Sequence, residues 1–111
     1  GRLSFLTLVS ERHTMTTYSF DTPASDTLFK GSVTNPSVAT SNALKEGVYL
    51  ILVSAATHIA FGSNPTAANT DFELQANVPL EVYLAEGTKI SALPVSGAGR
   101  ISAIRVKKVG V

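Results

Sequence analysis

Cysteine and tryptophan are both absent from this 111-residue chain. The first absence excludes disulfides and thiolate metal sites, so the fold must rest on packing and hydrogen bonds alone. A single domain of this length buries roughly two-thirds of its unfolded surface, enough for one core without covalent staples. The second absence removes the aromatic side chain that a carbohydrate platform would use most readily. Charge is scarce as well. Only 15% of residues are charged and the formal net charge is +1, against about 25% charged residues in an ordinary soluble domain. With 44% of residues apolar, part of the surface is expected to be covered by partners. Serine and threonine, 24 residues in all, carry much of the remaining polarity. Long hydrophobic runs are missing too. The longest, Val48–Val53, is about a third of the roughly 20 residues that a helical membrane span needs. Gly1–Val9 has one basic residue and a short apolar run. Ser4 and Thr7 interrupt that run and no small-residue cleavage site follows, so it reads as a strand rather than a signal peptide.

What is present is strand-forming. Val, Ile, Thr, Tyr and Phe are abundant, turn residues recur at short intervals, and no long window carries a 3.6-residue period. Strands are expected over Leu3–Ser10, Thr14–Phe20, Thr27–Lys30, Val48–Ser54, Thr57–Phe61, Asp71–Ala76, Val78–Leu84, Thr88–Leu93 and Arg100–Val109. Gly31–Asn42 reads as loop, with a turn at Asn35-Pro36. Ser41–Gly47 reads as one helical turn or a tight loop, and Ala55-Ala56 as a bulge or corner. Eight or nine short strands fit an antiparallel β-sandwich with jelly-roll-like connections, with an open barrel as the alternative. One domain spans residues 1–111, and residues 1–20 are expected to serve as an arm or strand engaged with a partner chain.

Chemistry is sparse. His13 and His58 are distant in sequence and stand beside no carboxylate, so neither points to a metal site. Asp71, Glu73, Asn64 and Asn69 lie close together but are too few and too spread for a calcium loop. No serine occupies a nucleophile elbow, and Gly97-Ala98-Gly99 is too short for a dinucleotide fingerprint. Arg100, Arg105, Lys107 and Lys108 make the C-terminal strand basic. Without interleaved aromatics this argues against nucleic acid. It fits either a strand edge kept charged to block aggregation or a docking surface for an acidic partner. No catalytic, cofactor-binding or metal residues are expected. Candidate partner-interface residues are Leu3, Phe5, Leu6 and Leu8 in the apolar first strand, with Arg105, Lys107 and Lys108 in the last.

The stretch Thr57-His58-Ile59-Ala60-Phe61-Gly62-Ser63-Asn64-Pro65-Thr66-Ala67 is the most distinctive in the chain. It is followed by Leu74-Gln75-Ala76-Asn77-Val78-Pro79, then Gly87-Thr88-Lys89-Ile90, then Gly99-Arg100-Ile101. In order and spacing these phrases resemble a group of small virion proteins of tailed phages, over Gly47 to Ile104. The basic end, Arg105–Lys108, departs from that pattern. The resemblance implies a non-enzymatic virion component on the capsid surface. Such a head decoration or cement protein would partner the major capsid protein and copies of itself, as a trimer. Neither nucleic acid nor membrane is an expected partner, and no cofactor. A carbohydrate- or receptor-binding sandwich of a tail or head fibre is the second reading, and a small β-fold enzyme the third.

Overall fold

Apolar residues that alternate with polar ones give one strand after another along this chain, because the two-residue period sends alternate side chains to opposite faces of a sheet. The computed structural model describes residues 7–9 and 15–109, and within them there are ten strands and no helix. They are β1 (Thr7–Val9), β2 (Met15–Phe20), β3 (Leu28–Thr34), β4 (Ala39–Thr40), β5 (Gly47–Val53), β6 (Thr57–Gly62), β7 (Phe72–Leu74), β8 (Leu80–Leu84), β9 (Lys89–Pro94) and β10 (Ala98–Val109).

The strands form two antiparallel sheets. One has six strands, β1-β2-β10-β5-β8 with β3 also on β10; the other has four, β4-β9-β6-β7. Taking β3 to β10 alone, the orders are β3-β10-β5-β8 and β4-β9-β6-β7. Each connection from β3 to β10 crosses between sheets except the β6–β7 hairpin, and the last two strands insert between earlier ones. This is the double Greek-key weave of a jelly-roll sandwich, as the strand spacing suggested. Ser54–Ala56, between β5 and β6, is the corner at which the chain changes sheet.

The core lies between the sheets. Tyr49, Ile51 and Val53 on β5, Ile101 and Ala103 on β10, Val33 on β3 and Leu84 on β8 face Ile59, Leu74, Ile90 and Ala92 from the second sheet. Each fully buried aliphatic side chain here stabilises the fold by about 1.5–3 kcal/mol before entropy is counted. Leu44 closes one end of this core. Its neighbourhood is a loop stitched by Leu44 N–H to Thr88 O (2.9 Å) and Gly87 N–H to Leu44 O (2.8 Å), and not a helical turn. Pro94 ends β9, where a missing N–H costs no ladder bond. The Asn35 side-chain amide donates to the Pro94 carbonyl (3.0 Å).

Two expectations are corrected. The supposed loop after Gly31 is largely strand: β3 runs on to Thr34, and Ala39–Thr40 pairs with β9. Serine, threonine and glycine there hid a strand that has one buried residue, Val33. The basic C-terminal strand is no edge, because β10 is bonded to β5 on one side and to β3 and β2 on the other. Here β2 and β3 act as one interrupted partner of β10, since Asp21 N–H donates to Arg105 O (2.8 Å) and Arg105 N–H donates to Thr27 O (2.9 Å).

Candidate assembly face

The two sheets treat their outer faces differently. On the four-stranded sheet, His58 and Ser91 point away from the core, yet they are 7% and 0% exposed. The loop after β6 roofs them. Ala67, also buried, donates its N–H to Ser91 Oγ (2.8 Å), and the Asp71 carbonyl meets His58 Nδ1 at 3.3 Å. His58 is thus a packed side chain beneath its own loop.

Among the described residues no such roof covers the six-stranded sheet. The register aligns its outward residues in rows across the strands. Leu28, Ile104, Leu50 and Glu81 form one row. Phe20, Val106, Val48 and Tyr83 form the next toward the end of β10, and Lys30, Ser102 and Leu52 the next toward its start. Phe20 is 62% and Leu52 39% exposed. Phe20, Leu28, Leu50, Leu52 and Ile104 line an open apolar groove of about 320 Å³. It runs into a smaller depression of about 160 Å³, where Lys30, Arg100, Ser54, Asn77 and Ser102 join Leu52, Val53 and Ile101 in the lining. A contiguous apolar patch of this kind on a sheet face is characteristic of a surface that another molecule covers.

The candidate residues from the sequence fare unevenly. Leu3, Phe5 and Leu6 lie outside the described residues. Leu8 lies in β1, opposite Thr16 of β2, so this strand pairs within its own chain. Lys108 lies in β10 opposite Tyr18. Arg105 and Lys107 converge on one carboxylate, with Arg105 Nη1 2.9 Å from Asp21 Oδ2 and Lys107 Nζ 3.6 Å from Asp21 Oδ1. The Arg105 hydrogen bond comes first among the causes that hold the Asp21 carboxyl below the usual range, with the Thr22 N–H next. Arg105 Nε also donates to the Glu46 carbonyl (2.8 Å). These two cations are therefore occupied in tying β10 to the chain between β2 and β3.

The groove residues were missed in the sequence, although one signal marked them. Val48–Val53 is apolar at every position. In an antiparallel sandwich an uninterrupted apolar strand has two buried faces, and only one of them belongs to the core. Tyr49, Ile51 and Val53 face inward, while Val48, Leu50 and Leu52 face out.

The tyrosines do not form a row. Tyr49 is fully buried and donates to the Lys45 carbonyl (2.8 Å); burial pushes its pKa up to about 12. Tyr83 is exposed and hydrogen-bonds the Glu46 carboxylate, and that bond raises its pKa. Tyr18 meets Glu81, which raises its pKa likewise. Among the described residues no three His, Cys, Asp or Glu side chains cluster as a metal site would require. No family model, curated protein or solved structure matches this chain.

Proposed function

We propose that this chain is a non-enzymatic virion protein of a tailed phage, a head decoration or cement subunit. It would sit as a trimer on the capsid surface, against the major capsid protein. The observation that carries an assembly role is the apolar face of the six-stranded sheet, which no described residue roofs, beside a second sheet whose outward His58 and Ser91 lie under its own loop. Low overall charge and a strand-and-turn pattern like that of small phage virion proteins support the same reading. A jelly roll by itself hosts capsid proteins, lectins and enzymes alike, so the weave contributes little to the choice.

The test is light scattering and co-sedimentation with isolated phage capsids. A defined oligomer that pellets with capsids at fixed stoichiometry is expected. A monomer indifferent to capsids overturns the proposal, and binding in a glycan screen by such a monomer would move the protein to the receptor-binding class.

A further inference from the structure

The outer face of the six-stranded sheet changes character along its strands. On β10, Arg100 and Ser102 give way to Ile104. On β3, Ser32 and Lys30 give way to Leu28, and on β5, Leu52 lies beside Ser102 and Leu50 beside Ile104. The register stacks these changes side by side, so the face runs from a cationic end to an apolar one. Lys30, Leu52 and Ser102 line both the smaller depression and the larger groove, which makes the two one continuous trough. Lys30 stands opposite Ser102, and Arg100 opposite Ser32. The two cations are therefore diagonal neighbours, about 7–8 Å apart at the backbone, and their charged heads can meet on one anion. The Arg100 guanidinium donates to the Ser32 hydroxyl at 3.3 Å. Among the described residues the ion pairs are Lys45–Asp26, Arg105–Asp21 and Lys107–Asp21; neither Lys30 nor Arg100 takes part.

We propose that this trough binds a small amphiphile, an alkyl carboxylate of the medium-chain fatty-acid class. Its carboxylate lies between Lys30 and Arg100, and its chain runs along β10 between Leu28 and Leu50. The inference goes beyond the assembly role and does not depend on it: the same face takes a small molecule when no partner lies on it. Three observations fix the ligand class. The cations sit at one end only, and the planar arginine fork matches a carboxylate's two oxygens. From Arg100 to Ile104 the strand covers about 13 Å, the reach of an extended chain of about ten carbons. The groove, about 320 Å³, stands at the lower end of the range for small-molecule sites, about 300–1,000 Å³, which suits a single chain. An exposed ion pair alone is weak. Here the covered methylenes supply most of the affinity, and the cations set the orientation and reject neutral and cationic heads.

The experiment is a titration of the full chain with decanoate, below its micelle-forming concentration, followed by backbone amide NMR shifts. Saturable shifts are expected at Lys30, Leu50, Leu52 and Ser102. Decanol and decyltrimethylammonium should each bind at least about tenfold more weakly, and each methylene removed from the carboxylate should weaken binding by about two- to fourfold. The double variant K30E/R100E, checked for native circular dichroism, should lose decanoate binding by at least about tenfold and prefer decyltrimethylammonium. The absence of saturable shifts in the wild type, or shifts centred away from the trough, overturns the proposal. Decanol binding as tightly as decanoate also overturns it, since that is adsorption to an apolar face. So does a folded K30E/R100E protein that binds decanoate like the wild type. If that variant does not fold, the head-group series on the wild type decides alone. Capsid co-sedimentation keeps the two readings apart. A wild type that binds decanoate and ignores capsids defeats the cement function only, and one that pellets with capsids and ignores decanoate defeats only this site.

Discussion

Asp21 and Arg105 are joined twice. The Asp21 N–H donates to the Arg105 carbonyl at 2.8 Å, and the Arg105 guanidinium donates to the Asp21 carboxylate at 2.9 Å. The pair sits where the partner of β10 changes from β2 to β3, so one aspartate fixes both the backbone and the side chain at the break. Its depressed pKa sets the sign of a pH effect. Stability from this contact is fully present above the unfolded aspartate value of about 3.9. It is lost as pH falls through the lower folded value. Thermal melts from pH 7 to pH 2 should therefore show the wild type losing a contribution in the acid range that Asp21→Asn never had. The variant should melt several degrees lower at pH 7 and converge with the wild type at the acid end.

Gly47 makes room for the same arginine. Its φ is +155°, and a Cβ added there would collide with Arg105 Nε. Gly47→Ala should cost about 2 kcal/mol in urea denaturation, from the backbone conformation and the displaced guanidinium together. Because the two residues touch, the penalty should shrink in an Arg105→Ala background, and a double-mutant cycle measures that coupling.

Tyr49 predicts a spectroscopic signature. In an absorbance titration of the phenolates, Tyr49 should ionise near pH 12, about two units above an ordinary tyrosine. A raised folded pKa means that its contribution to stability is complete below about pH 10 and fades as pH climbs toward the folded value. Tyr49→Phe removes the hydroxyl bonded to the Lys45 carbonyl and should cost about 1 kcal/mol, with the late absorbance step gone.

Ser91 holds the roof over the second sheet. Ser91→Ala strands the buried Ala67 N–H, which should cost about 1–3 kcal/mol. Hydrogen exchange at Ala67 should then accelerate far more than at the Ile59 and Ala92 ladder pair beneath it. Equal acceleration at all three would mean that the loop and the sheet open as one unit.

Leu52 separates core from interface. It is 39% exposed on the outer face, whereas its neighbour Ile51 is fully buried. Leu52→Ser should leave the monomer's unfolding free energy within about 0.5 kcal/mol of the wild type and weaken association. Ile51→Ala should cost about 2–5 kcal/mol. Sedimentation and denaturant melts on both variants distinguish the two roles.

Much of the fold was legible in the chain. Leu80, Val82 and Leu84 turn inward while Glu81 and Tyr83 turn out, as strict alternation demands. The Ala55-Ala56 break is a corner between sheets. What escaped sequence reading was non-local. Nothing in Leu28–Thr34 states that its partner is β10, and its serine, threonine and glycine carry too little hydrophobic signal to mark a strand. Basic residues near the end of β10 suggested a solvated edge because charges commonly protect edges. Two of them, Arg105 and Lys107, are instead absorbed by Asp21, a carboxylate from a distant turn. The outer groove was encoded in the unbroken apolar run of β5, but a single strand cannot say which of its faces the core will claim.

The weave has a kinetic consequence. β10 is the last strand in sequence, yet it pairs with β2, β3 and β5, joining residues as distant as Leu28 and Ile104. Until it docks, β3 has no ladder partner, and β5 has only β8. The six-stranded sheet therefore cannot zip outward from a local hairpin but must await a long loop closure, which places this domain among the slow, millisecond-to-second folders. During that wait the unpaired edge of β5 and its outward leucines are open to other chains. Rapid dilution and low protein concentration should govern the refolding yield more strongly than the final stability does.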